Sequence, residues 1–284
     1  MHTSRVARHL LMGAQVIAML RSLKELERYT VNATDGDLGS VANFLFDDEK
    51  WAIRYLVVKT GNFFDERRVL VSPISFRKVD WAKGVFHLAL TMDQIKGSPG
   101  LDADRPVSRQ HERNYSDYYG YPYYWGTMGV WGSGYYPALL GARPRNGAPP
   151  ALPDDKPGDV HLRSAADVRG YDLRGTDDGI GFVADFIVDD ETWELRYLVV
   201  DTSHWWWGKK VLVAPDWATQ VSWSDRKISL DLTRDAIKNS PEWNAETAVG
   251  REYETRLYGH YGRKAYWPAI DHRKEAKARP QASR

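Results

Sequence analysis

Two acidic triplets, Asp47-Asp48-Glu49 and Asp189-Asp190-Glu191, are the residues of this 284-residue chain best suited by type to hold a divalent cation. A calcium loop spreads its oxygen ligands over about a dozen residues. Three adjacent acids at a turn read more simply as solvated turn residues that discourage edge pairing, so no metal site is assigned to them. Histidines 87, 111, 204 and 260 are scattered and not at ligand spacing. His111-Glu112 begins a zinc-helix pattern, but Tyr115 stands where H-E-x-x-H needs its second histidine. The chain has no cysteine, which removes thiol nucleophiles, disulfides and Cys-ligated zinc or iron–sulfur clusters. No Gly-rich phosphate loop, G-x-S-x-G elbow or Ser/His/Asp arrangement is visible. Ser98-Pro99 and Ser240-Pro241 read as helix stops. The expectation is a protein that is not an enzyme, with no catalytic residue and no cofactor.

Aromatic residues offer a different chemistry, that of contact. Residues 115–136 hold ten aromatics in 22 positions, among them Tyr118, Tyr119, Tyr121, Tyr124 and Trp125. Interspersed glycines and prolines argue against a regular helix or strand there. Trp205-Trp206-Trp207 cannot all point into a barrel of alternating strands. These eight residues are the candidate partner-contact set, because Trp is enriched among interface hot spots. The same run could stack bases, yet no Lys or Arg lies between Asn114 and Ala142, which disfavours nucleic acid.

The elements that must position these residues are repeated. Residues 22–101 and 164–243 align at an offset of 142 without a gap, and 32 of 80 positions are identical, too many for a shared hydrophobic pattern alone. Ser22 matches Ser164, Asp47-Asp48-Glu49 matches Asp189-Asp190-Glu191, and Arg54–Val58 matches Arg196–Val200. Weaker matches continue beyond: Arg109 with Arg251, Glu112 with Glu254, and Tyr124-Trp125 with Tyr266-Trp267. A unit this long can form a small domain, unlike the 20–50-residue units of solenoids and propellers. The expected layout is a first module at 22–101, a Tyr/Trp/Gly/Pro-rich connector at 102–160, a second module at 161–243, and a C-terminal arm with a basic tail at 244–284.

Within a module, short β segments alternate with turn chemistry. Tyr29–Ala33, Val41–Phe46, Ile53–Lys59, Arg68–Ser72, a segment around Val79 and Val85–Leu90 give six strands, with Asp35-Gly36 at a tight turn. Thr91–Lys96 and Thr233–Lys238 read as short capped helices. The expected fold class is all-β: two six-stranded barrels, each followed by a short helix, since closure removes exposed edges. Arg54 and Arg196 alternate with apolar residues on a central strand. They are expected to hold structural positions, paired with acids such as Asp47 and Asp189.

The pattern Tyr29…Thr34-Asp35-Gly36…Gly39, Phe46-Asp47-Asp48, Arg54–Val58 and Val69-Leu70-Val71…Pro73 resembles the PRC-barrel domain. That β-barrel is shared by the cytoplasmic part of the photosynthetic reaction centre H subunit and the C-terminal part of a ribosome-maturation factor. The second module matches at Thr176-Asp177, Gly181, Val188–Asp190, Arg196–Val200 and Val211–Pro215. The resemblance implies a bacterial, non-catalytic interaction or assembly scaffold. By analogy it implies contact with a membrane complex and a role in photosynthetic electron transfer, or else an RNA- or ribosome-associated accessory role.

Charge is nearly balanced, 39 basic against 38 acidic residues, but residues 1–21 and 271–284 are each basic by three and leave a mildly acidic interior. A broad phosphate-binding surface on the modules is therefore not expected. Leu10–Leu20 is apolar and follows Arg5 and Arg8, yet it is too short to span a bilayer. An alternative translation start at Met12 or Met19, a short surface helix and an export signal all remain open readings. The expected setting is cytoplasmic, with self-association or a protein partner and a possible peripheral membrane contact.

Overall fold

The computed structural model describes residues 19–60, 67–100, 107–125, 128–132, 134–141, 161–203, 209–246 and 248–267. The first module contributes β2 (Thr30–Asn32), β3 (Asp37–Asp47), β4 (Ala52–Thr60), β5 (Arg67–Val71), β6 (Phe76–Asp80) and β7 (Val85–Leu88). They pair in the order β5-β4-β3-β2-β7-β6, with β2 and β7 parallel. The second module repeats the order with β9 (Asp172–Arg174), β10 (Gly179–Asp189), β11 (Leu195–Asp201), β12 (Lys210–Val213), β13 (Ala218–Ser222) and β14 (Lys227–Leu230). Gly39 and Gly181 mark matching irregularities at φ +145° and +153°, where a Cβ would collide with the carbonyl of Lys59 or Asp201. Most of β4 and β11 is buried on both faces, so each central strand is covered on both sides of its sheet.

Neither sheet closes among the described residues. The end strands β5 and β6 are consecutive, and the 3-10 turn Pro73–Ser75 between them begins on a residue with no N–H to donate. Pro215–Trp217 separates β12 from β13 in the same way. The six expected strands per module are present, but among the described residues each sheet has seven.

The seventh strand comes from the other module. β1 (Leu20–Ser22) pairs antiparallel with β10, and β8 (Leu162–Ser164) pairs antiparallel with β3. β3 is long enough to divide one edge between two neighbours: Asp37–Ser40 pairs with its own β2, and Leu45–Asp47 with the foreign β8. The exchange caps an edge that would otherwise present unpaired backbone groups. A short helix follows each exchanged strand, α1 (Leu23–Leu26) and α4 (Ala165–Val168), with Ser22 and Ser164 accepting from Glu25 N and Asp167 N. Leu23, Leu26, Ala165 and Val168 are all buried, which fixes the segment by packing as well as by ladder bonds.

Contacts across the junction obey the same offset of 142. Arg21 bonds Asp190 of the second module at 2.8 Å while its guanidinium lies 3.7 Å over Trp81 of the first. Arg163 bonds Asp48 at 2.6 Å and lies 4.3 Å over Trp223. Ile53 N donates to Trp193 O at 2.8 Å and Leu195 N to Trp51 O at 2.7 Å, flanking an Ala52–Glu194 bridge. Both tryptophans hold positive φ, 51° and 61°. That conformation is uncommon for a bulky residue and persists here under contacts from both modules. The Trp193 ring enters the first core at 5.2 Å from Phe76 and 6.0 Å from Phe86. Glu27 and Arg169, equivalent positions in the two repeats, pair with one another at 2.6 Å.

Helices α2 (Met92–Lys96) and α5 (Arg234–Lys238) stand where the sequence places them, capped by Thr91 and Thr233. Two further helices, α3 (Arg109–Tyr119) and α6 (Arg251–Tyr261), end at Gly120 and Gly262 in the left-handed conformation. Helix α3 corrects the reading of residues 115–136 as free of regular structure. Its turns are complete before the first glycine, which then serves as the C-cap. An isolated bridge joins Leu20 of β1 to Val249 in the C-terminal arm. No helix among the described residues is long and apolar enough to cross a membrane.

Because each half supplies a strand to the other, cutting the chain should not separate them. With a specific protease site inserted near residue 150, the cleaved halves should co-elute at the size of the intact chain and part only in denaturant. Folded halves that separate in native buffer would show that the exchange is dispensable.

Candidate functional site

The acids at 47–49 are not simply solvated turn residues. Asp47 ends β3 with its side chain buried, and its two oxygens hold different groups. Oδ2 accepts from Arg54 Nε at 2.6 Å, and Oδ1 accepts from Lys50 N at 2.7 Å. Asp48 and Asp190 bind the exchanged arginines, while the Glu49 side chain stays largely exposed. Strand alternation explains the split: at a strand end, neighbouring side chains face opposite ways even when all three are acids.

Arg54, 1% exposed, lies between two aromatic faces, 3.8 Å from the Tyr124 ring centre and 4.6 Å from that of Trp131. Its Nη1 and Nη2 have no hydrogen-bond partner. They adjoin a pocket with room for about one water, lined by Ser72, Tyr115, Ser116 and Tyr121 among others. The counterpart Arg196 is paired differently, through Nη2 with Glu194 at 2.6 Å and Asp189 at 3.4 Å and with the Tyr266 ring at 4.3 Å, while its Nε has no hydrogen-bond partner. The residue equivalent to Glu194 is Ala52, so the first module has an indole where the second has a carboxylate.

Above each arginine lies a second buried cluster carried by the arm helices. Glu112 of α3 accepts from the Tyr124 hydroxyl and from Arg109 Nη1 at 2.8 Å, and Arg109 lies 4.5 Å over Trp125. Glu254 of α6 accepts from Tyr197 at 2.7 Å and Tyr266 at 2.9 Å, and pairs with Arg251 at 2.8 Å. Arg251 in turn lies 4.1 Å over Trp267. Burial raises the Glu112 carboxyl to about 7, against the opposing pull of Arg109 and of the Tyr124 hydrogen bond. Burial, followed by the nearby Glu112, holds the Tyr55 phenol well above its usual value; burial and then Glu254 do the same for Tyr197. A carboxyl titrating near neutrality beside phenols has the makings of acid–base chemistry. A general acid or base must nevertheless reach a substrate proton. Glu112 is 1% exposed and its donors are the chain's own, so the cluster ties α3 to the strands.

Of the contact candidates, Tyr124 and Trp125 are spent inside this cluster, and Tyr121 is buried, stacked 5.3 Å from Tyr119. Tyr119 is half-buried; Tyr118 is exposed and donates its hydroxyl to Gln94 O at 2.9 Å. Trp205, Trp206 and Trp207 lie outside the described residues. The histidines do not converge: His87 sits on β7, His111 on α3 and His260 on α6, and His204 is outside the described residues. Among the described residues no three His, Cys, Asp or Glu side chains are grouped to hold a metal ion.

Trp131, counted in the aromatic run read as a contact surface, is instead 1% exposed and donates from Nε1 to Thr192 O at 2.7 Å, joining the connector to the second module. Tyr135 (66% exposed) and Tyr136 (43%) belong to the same run, whereas the exposed Met128 (98%) and Leu139 (65%) that flank them were passed over. The matches at Arg109/Arg251, Glu112/Glu254 and Tyr124/Tyr266 were a readable signal for the buried clusters, because only selected residues keep register in that region.

No family model matches the chain. It is similar to an uncharacterised protein of Deinococcus radiodurans, 37% identical over 83 residues. That stretch is about one module long, 29% of this chain and 28% of the relative.

Two measurements test this account. Replacing Asp47 by Asn strands a buried guanidinium and should cost about 3–5 kcal/mol in a denaturation titration. The Glu112 carboxyl ionises at higher pH when folded than when unfolded, so the folded state holds the extra proton between about 4.5 and about 7. Its contribution to stability is thus largest at the acid end and falls across that window, by on the order of 3 kcal/mol at most. Glu112→Gln should flatten this part of the stability–pH curve; an unchanged slope would show that the carboxyl does not titrate there.

Proposed function

We propose that this chain is a non-catalytic docking scaffold built from two units of the PRC-barrel type, locked together by strand exchange. The observation that carries the reading is the contrast between its chemistry and its surface. The titratable groups most perturbed from their usual values, Glu112 and the phenols of Tyr55, Tyr115, Tyr124 and Tyr197, are buried in contacts that hold the arms to the strands. The apolar side chains of Met128, Tyr135, Tyr136 and Leu139 are instead presented to solvent on one short segment.

That segment is held from beneath. Trp131 anchors it on Arg54 and on Thr192 O, an isolated bridge joins Trp131 to Gly134, and Pro137–Leu139 forms a 3-10 turn over Pro73–Ser75. Exposed apolar area on a fixed backbone suits recognition, because little order has to be imposed on binding. The absence of Lys and Arg between Asn114 and Ala142 favours this reading over an RNA-associated one, since a nucleic-acid platform interleaves cations with its aromatics.

A photo-crosslinking amino acid placed at Tyr135 in the producing cells is the direct test. It should give discrete adducts that are missing when the same group replaces an exposed residue elsewhere, such as Lys83. Equal, diffuse labelling at both positions would count against any docking role for this surface.

A further inference from the structure

We infer that the pocket beside Arg54 is a binding site for one small monovalent anion of the halide class, of which chloride is the member to test. The site lies inside the first module and is separate from the docking surface.

The guanidinium calls for it. Arg54 is 1% exposed, yet only its Nε meets a carboxylate, Asp47 Oδ2 at 2.6 Å. The other oxygen of Asp47 is taken by Lys50 N at 2.7 Å. Contact with Tyr124 and Trp131 engages the faces of the guanidinium and not the N–H groups along its edge. Nη1 and Nη2 are buried without a hydrogen-bond partner among the described residues, and Arg54 forms part of the pocket wall. Buried N–H groups on a cation are costly to leave unpaired, and negative charge answers them best.

The second module supplies a comparison within the same chain. Arg196 bonds two carboxylates, Asp189 and Glu194, where Arg54 bonds one. Ala52 stands at the position equivalent to Glu194. Glu112 does not make up the difference, because Arg109 and the Tyr124 hydroxyl already engage it. The first arginine is thus one negative charge short of its repeat, on the side chain that borders the pocket. Ser72, buried in the pocket wall, is likewise particular to this module, since Ala214 takes its place in the other. Its Oγ accepts from Ile74 N at 3.3 Å, which leaves the hydroxyl proton to give.

Size and hydrogen bonding fix the class of ligand. The pocket has room for about one water, so phosphate, sulfate and free carboxylates are too large for it, while the guanidinium repels metal cations. A halide ion is little larger than a water. Water would also have to place its own protons on acceptors, and Tyr115 is already committed, accepting from Ser72 N at 3.1 Å and donating to Leu70 O at 3.3 Å. A halide only accepts, and the uncommitted groups here are donors. The wall comes from β4, from the turn at Ser72 and from α3 with the segment after it, so a bound anion fastens the arm to the strands.

The test is thermal melting of the full-length protein in sodium chloride and in sodium gluconate at equal sodium concentration, gluconate being too large to enter. Chloride should raise the midpoint along a single-site saturation curve, by about 2–4 °C once it exceeds its dissociation constant roughly fivefold. Bromide should act alike, and crystals grown in bromide should show its anomalous signal within hydrogen-bond distance of Arg54 Nη1 or Nη2. Ser72→Ala, a residue the second module already carries at this position, should keep the fold and require about tenfold more chloride for the same gain. Asp47→Asn/Arg54→Gln removes both charges of the pair together and should abolish the gain. Equal midpoints of the wild type in chloride and gluconate would overturn the proposal and leave the pocket to a water. A gain that rises without saturating, or that both folded variants keep in full, would overturn it as a general salt effect. Bromide seen in the pocket without a saturating shift would overturn it as an adventitious ion only.

Discussion

The structure depends on two arginines that each hold both modules at once. Arg21 offers its edge to Asp190 and its face to Trp81; Arg163 does the same with Asp48 and Trp223. A guanidinium is suited to this because its edge donates hydrogen bonds while its flat faces stack. Around these pins the exchanged strands complete the edges of β3 and β10, and Trp193 fills space in a core to which its own module does not belong. Losing the exchange would therefore open two sheet edges and one aromatic core together. The modules are folding partners, and neither is complete without the strand lent by the other.

The symmetry of this arrangement is approximate, and the departures from it are informative. A position on the approximate twofold axis faces its own repeat, so identical modules would set like against like. Glu27 opposite Arg169 turns such a contact into an attraction. Ala52 opposite Glu194 frees room beside Arg54 for the Trp131 indole, while Glu194 serves Arg196 directly. Asn43 and Asp185 hold the serines of the exchanged strands, one with an amide at 2.9 Å and the other with a carboxylate at 2.5 Å. Duplication within one chain allows each half to specialise, and specialised halves fit one another better than they fit themselves.

The repeat, the strand sequence, the two short helices and the need to pair Arg54 could all be read from residue order. Strand exchange could not. The apolar pattern of Leu20–Leu26 is satisfied equally by its own module or by the other, and periodicity reports that a face is buried without saying against what. The connector misled for a related reason. Tyr and Gly content says that a segment is not a long regular element, yet it is silent on whether its rings pack at home, as Tyr124 and Trp125 do, or face outward, as Tyr135 does. Asp47 was legible as a partner for Arg54, but the separate fates of Asp48 and Glu49 were not, since three like residues in a row look alike until the strand end decides which way each one points.

The bridge between Leu20 and Val249 makes the path of the chain nearly a closed ring. The first module hangs from the second as a loop whose entry and exit are fastened to the same body. Tension applied through the two ends of the chain would not be transmitted across the first module. It would be carried in shear by the three residue pairs of β1 on β10, so mechanical strength resides in a strand that is three residues long.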